Sequence, residues 1–130
     1  MNMKIVIPVI VGVIAVSGLA YVIAPSDEIT VTEIEIDKTV LEQQFDYPKG
    51  APILTAKIID VPVGAKTNTH THDYPLFVYI LDGEITVDYG EGSKTFTKGE
   101  TFVEAIDYFH FGINNGDKPT KILAVELGEK

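Results

Sequence analysis

The sequence predicts an all-β domain, an antiparallel sandwich or barrel, preceded by one N-terminal hydrophobic helix. Three observations predict it. Residues 5–24 carry no charge. Beyond residue 26, short apolar runs and turn clusters alternate roughly every 8 to 12 residues. No stretch of that second part carries helical periodicity, a repeat or a low-complexity tract.

The elements follow in order. Residues 5–24, at a helical rise of about 1.5 Å each, reach roughly 30 Å, enough to cross a bilayer. Lys4 precedes the run and Asp27 and Glu28 follow it, so the positive side stays in the cytoplasm and residues 26–130 are expected outside it. Ser17-Gly18-Leu19-Ala20 resembles a signal-peptidase site, but the run is longer than a secretory core, and Pro25 obstructs cleavage after Ala24. Residues 1–25 are therefore expected as a retained signal-anchor or transmembrane helix, and residues 26–130 as the β-barrel domain, secreted if the leader is cleaved. Residues 29–36 alternate as a strand whose parity slips between Val31 and Ile34, the mark of a bulge. Phe45 to Pro52 is turn chemistry, and Ile53 to Val61 a strand closed by Pro62-Val63-Gly64. Leu76–Leu81 is an apolar strand ended by Asp82-Gly83. Glu84–Tyr89 alternates, with Ile85, Val87 and Tyr89 on one face. Strands are then expected over Ser93–Thr97, Thr101–Ala105, Phe109–Ile113 and Thr120–Leu127, with Asn114 to Asp117 as a turn.

Composition removes several functions. The 105 residues from 26 onward hold nine Lys, 19 acidic residues and no Arg. A net charge this negative argues against nucleic acid and against anionic lipid headgroups. Without Arg there is no bidentate fork for phosphate or carboxylate. Without Cys there is neither a disulfide framework nor thiolate chemistry.

What remains is histidine. The chain has three, His70, His72 and His110. In His70-Thr71-His72 the two imidazoles sit at i and i+2 of an extended segment, on one face, where both can hold one ion. A third imidazole from a distant strand completes a facial set with open positions. A divalent transition metal is the expected cofactor: iron, manganese, nickel, copper or zinc.

Gly64-x5-His70-x-His72, running on to Tyr79-Ile80-Leu81-Asp82-Gly83, and Gly99-x10-His110-x3-Asn114 stand in order. With these two motifs the chain resembles the cupins, over roughly residues 50–127, and among them the small, exported, single-domain members. The resemblance implies a double-stranded β-helix, or jelly-roll barrel, with the three histidines as metal ligands. Phe77, Tyr79 and Leu81, on the face opposite Leu76, Val78 and Ile80, are apolar as well, so that face is covered either by the chain's own N-terminal strands or by a second copy, and the resemblance favours the homodimer. Three positions depart from the family pattern. Leu76 stands where the first motif carries Glu, Ala105 where the second carries Pro, and Asp107 where it carries Gly. Without that Glu, three neutral imidazoles leave a divalent ion its full charge, and a manganese site of the oxalate type becomes the weaker expectation.

Glu104 interrupts an apolar strand, where an unpaired carboxylate is costly. It is either a cavity residue, serving as proton shuttle or as acceptor for a histidine N–H, or a rim residue at a strand end. Tyr108 either hydrogen-bonds a substrate or packs. Glu104 and Tyr108 are the candidate catalytic residues. Asp73 and Asp107 read as loop residues, and Asn114 as a turn cap. The cavity lining assignable from the strands is Leu, Val and Ile, which suits a small neutral ligand. The leading expectation is an extracytoplasmic, membrane-tethered metal site that oxidises or cleaves a small organic molecule with oxygen, as a metal-dependent dioxygenase does. The alternatives are a non-catalytic ligand- or metal-binding module, and an accessory subunit of a membrane complex whose helix packs through Gly12, Ser17 and Gly18.

Overall fold

The computed structural model describes residues 2–4 and 29–130. The expected hydrophobic helix over residues 5–24 lies outside them. The described residues fall in two compact units, 1–35 and 36–130.

In the first unit, β1 (Asn2–Lys4) pairs antiparallel with β2 (Glu33–Glu35) over three residue pairs. The strand expected over 29–36 is thus only three residues long. Ile29 and Val31 are 89% and 71% exposed, so its alternation has no apolar surface to pack on.

The second unit is all-β. Its strands are β3 (Pro52–Val61), β4 (Leu76–Asp82), β5 (Glu84–Asp88), β6 (Ser93–Thr97), β7 (Thr101–Val103), β8 (Phe111–Ile113) and β9 (Thr120–Glu129). One sheet has the order β3-β9-β4-β7 and the other β6-β5-β8. The long pair β3–β9 runs in unbroken register from Pro52 opposite Glu129 to Val61 opposite Thr120. Alternation sorts the strands as the sequence implies. Leu76, Val78 and Ile80 of β4, Ile85 and Val87 of β5, and Ile122 and Ala124 of β9 are buried together, while Phe77, Tyr79 and Leu81 are half-buried. Phe96 stacks on Phe102 at 3.8 Å between ring centroids.

Turn chemistry joins the two sheets. Gly83 has φ +76° between β4 and β5, and a Cβ there would meet the Pro119 carbonyl oxygen at 2.8 Å. A side chain is excluded on both counts. The 62–75 segment, which carries two of the histidines, is fastened along β8. Thr67 N–H donates to the Gly112 carbonyl, Asn114 N–H to Ala65, and His70 and His110 exchange both backbone hydrogen bonds, at 2.9 and 3.0 Å. That rung brings two distant parts of the sequence to one end of the barrel.

Candidate metal centre

The reciprocal bonding of His70 with His110 sets their side chains beside one another. The third ring is one alternation away at His72. Ring centroids lie 4.9 Å apart for His70–His72, 4.6 Å for His70–His110 and 5.2 Å for His72–His110. One ligand atom from each lies within 4.8 Å of the others. Adjacent donors around a tetrahedral ion stand about 3.4 Å apart, so an ion would draw the rings slightly inward.

Two of the rings are oriented from behind. His70 Nδ1 lies 2.7 Å from the Asn68 carbonyl oxygen, and His110 Nδ1 2.8 Å from that of Tyr108. A carbonyl only accepts, so Nδ1 carries the proton, and in the neutral ring Nε2 keeps its lone pair. This is the arrangement that points Nε2 of a histidine at a metal. His72 is held neutral. Burial first, then the neighbouring His70, His110 and Lys57, lower its pKa to about 4, with Asp73 acting weakly in the opposite direction. Three neutral imidazoles are the donor set a divalent transition ion needs, so the residues fit such a group.

Glu104 is buried rather than at the rim. It is 4% exposed, and its N–H donates to the Leu76 carbonyl, so the two residues face one another one step beyond the last β4–β7 pair, Phe77 with Val103. Glu104 Oε1 accepts from the Tyr89 hydroxyl at 2.7 Å and from the Ala105 N–H at 2.9 Å. Glu104 Oε2 lies 3.5 Å from His110 Nε2. Leu76, where the family motif carries Glu, is thus faced by a buried carboxylate from across the strand pair, while the group of side chains that could hold an ion is His70, His72 and His110.

Tyr89 was legible only as one apolar position of β5 and its extension. It is 5% exposed, and a buried phenol requires a partner. Burial first, then the charge and hydrogen bond of Glu104, push its pKa far above the ordinary range, so it stays a donor. Tyr108 is half-buried, and its contribution to the metal centre is its backbone carbonyl, which holds His110. Asn114 is a turn residue, as expected: its amide donates to the Val61 and Lys118 carbonyls and its oxygen accepts from Gly116. Asp107 is exposed with φ +52°, a left-handed position that Asp tolerates better than most side chains.

A cleft of about 490 Å³ opens beside His110, lined by Tyr89, Tyr108, Phe109 and Phe111 together with Thr69, Asp88 and Asp107. Its walls are aromatic. The Leu, Val and Ile expected to line it are packed in the core instead, because inward aliphatic side chains of facing strands fill the space between the sheets.

The cupin domain family model matches residues 57–126. No sequence match was found among curated proteins. Among solved structures, a Bacillus halodurans protein superposes with a TM-score of 0.54 at 15% identity, covering 59% of this chain and 64% of that one. The Schizosaccharomyces pombe Cnp3 cupin domain gives 0.55 at 18% identity, covering 66% of this chain and 64% of that one. The polyketide cyclase RemF of Streptomyces resistomycificus gives 0.53 at 18% identity, with 66% and 62% covered. The chain spans just under two thirds of the length of each of these three relatives. Identities this low concern the fold alone. The family model, which covers more than half of the sequence and both histidine motifs, meets a double-sheet barrel with its three histidines at one end: the chain belongs to the cupin domain family.

Proposed function

We propose that this cupin binds one divalent transition metal through His70, His72 and His110, and uses it to oxidise or cleave a small organic molecule outside the cytoplasm, tethered by its N-terminal segment. The observation that carries the reading is the convergence of three imidazoles, two with Nδ1 tied to a carbonyl and Nε2 without a hydrogen bond among the described residues. A divalent ion held there supplies a Lewis-acidic or redox-active centre with open positions.

The chain's own groups support the rest. The aromatic walls suit a flat, weakly polar ligand. Asp88 and Asp107 in the same walls, with no lysine among the lining residues, disfavour a polyanion. Tyr108, shared between this cleft and a second one of about 390 Å³, is placed to orient a ligand hydroxyl. Burial of Glu104 and Tyr89 keeps water from the inner side of His110.

The test is oxygen uptake by the full chain with a panel of phenols and enolisable carbonyl compounds. Uptake with at least one of them, abolished by chelation and in His110→Ala, is the expected result. Tight metal binding without uptake on any compound would overturn the catalytic reading and leave a binding module.

A further inference from the structure

We propose that Glu104 is a fourth metal ligand, binding through Oε2 alone. The inference rests on the three-histidine reading and adds a residue from a strand that contributes none of the three.

The geometry of the carboxylate carries it. Oε1 has two donors, the Tyr89 hydroxyl and the Ala105 N–H. Oε2 has no hydrogen bond among the described residues. It faces His110 Nε2 at 3.5 Å, while the other nitrogen of that ring is committed to the Tyr108 carbonyl. Both side chains are almost fully buried, 2% and 6% exposed, and no lysine forms an ion pair with Glu104 among the described residues. The separation is close to the roughly 3.4 Å between neighbouring donors of one tetrahedral ion.

One oxygen is fixed and the other is left open towards His110 Nε2. That arrangement orients a monodentate carboxylate ligand, and Tyr89 becomes a positioning residue that acts through Glu104. The carboxylate also offsets one of the ion's two charges. The site would therefore hold its ion more tightly, and favour anionic co-ligands less, than three imidazoles alone.

The experiment titrates the full chain, in mild detergent, with Co²⁺. Affinity and the visible ligand-field spectrum are recorded for wild type, Glu104→Gln and Tyr89→Phe, with circular dichroism as a check on folding. A ligand role predicts that Glu104→Gln stays folded, binds more than about 100-fold more weakly and shifts the ligand-field bands, beyond the usual loss for an outer partner. Tyr89→Phe should weaken binding by about tenfold and leave the bands in place. Unshifted bands in Glu104→Gln would overturn the proposal, since the carboxylate would then lie outside the coordination shell. Absence of any Co²⁺ spectrum in wild type would overturn the three-histidine reading itself.

Discussion

His72 shows how the residue scale sets the chemistry. It is half-buried among two other imidazoles and near Lys57, and its pKa falls from 6.5 to about 4. The unfolded chain therefore binds more protons than the folded one between these values, and stability is lost as the pH drops through that window. Metal-free protein should show a melting temperature that declines from pH 6.5 towards pH 4. In His72→Ala the decline should be shallower, and an identical slope in the variant would assign the effect to other groups. At the same scale, the three histidines were legible because an i, i+2 pair must share a face whatever the surrounding fold. Glu104 was legible only as an anomaly in an apolar strand, since nothing in the linear order shows that Leu76 stands across from it. Tyr89 was read as apolar because its phenol partner lies 15 residues away on another strand.

At the scale of elements, the inward face of β4 carries the barrel. Ile80 is 0% exposed, and truncation to Ala should cost about 2–5 kcal/mol through lost burial and the cavity left behind. Chemical denaturation measures it, and a loss under about 1 kcal/mol would mean that the core collapses around the gap. The loop before His110 depends on Asp107 at φ +52°. A β-branched residue there meets the left-handed penalty of about 1–2 kcal/mol, so Asp107→Val should lower stability by that amount, whereas Asp107→Gly should hold or raise it. Equal stability of the two variants would show that the backbone relaxes away from this conformation. Strand positions from β3 to β9 were legible from alternation and turn residues to within about two residues, the usual uncertainty of element ends. The cleft walls were not, because period-2 patterning says which side chains face inward but not which of them meet across the barrel and leave no space.

At the scale of the whole molecule, two expectations concern what the chain touches. Ile53, Leu54, Ile58 and Ile59 of β3 are 37%, 66%, 58% and 37% exposed on the edge of the larger sheet. An apolar edge strand of this length is a pairing surface, so we propose that the homodimer expected from the sequence forms through β3 rather than through Phe77, Tyr79 and Leu81. Light scattering should give a dimer mass for the full chain in detergent, after subtraction of the micelle, and a monomer for Leu54→Glu combined with Ile58→Lys. A mass unchanged by the substitutions would move the interface elsewhere. The proposed anchor and the β1–β2 ribbon are alternatives, since a single crossing by residues 5–24 would leave Asn2–Lys4 and Glu33–Glu35 on opposite sides of the bilayer. A three-pair ribbon is marginal by itself, and 20 uncharged residues gain far more from lipid, so the anchor is the stronger proposal.

The central claim is that His70, His72 and His110 hold a metal, and elemental analysis tests it most directly. The full chain should be purified without chelator and without a histidine tag, alongside His70→Ala. The account predicts close to one transition-metal ion per chain in wild type and a loss of most of it in the variant. Substoichiometric metal, equal in both proteins, would contradict the account.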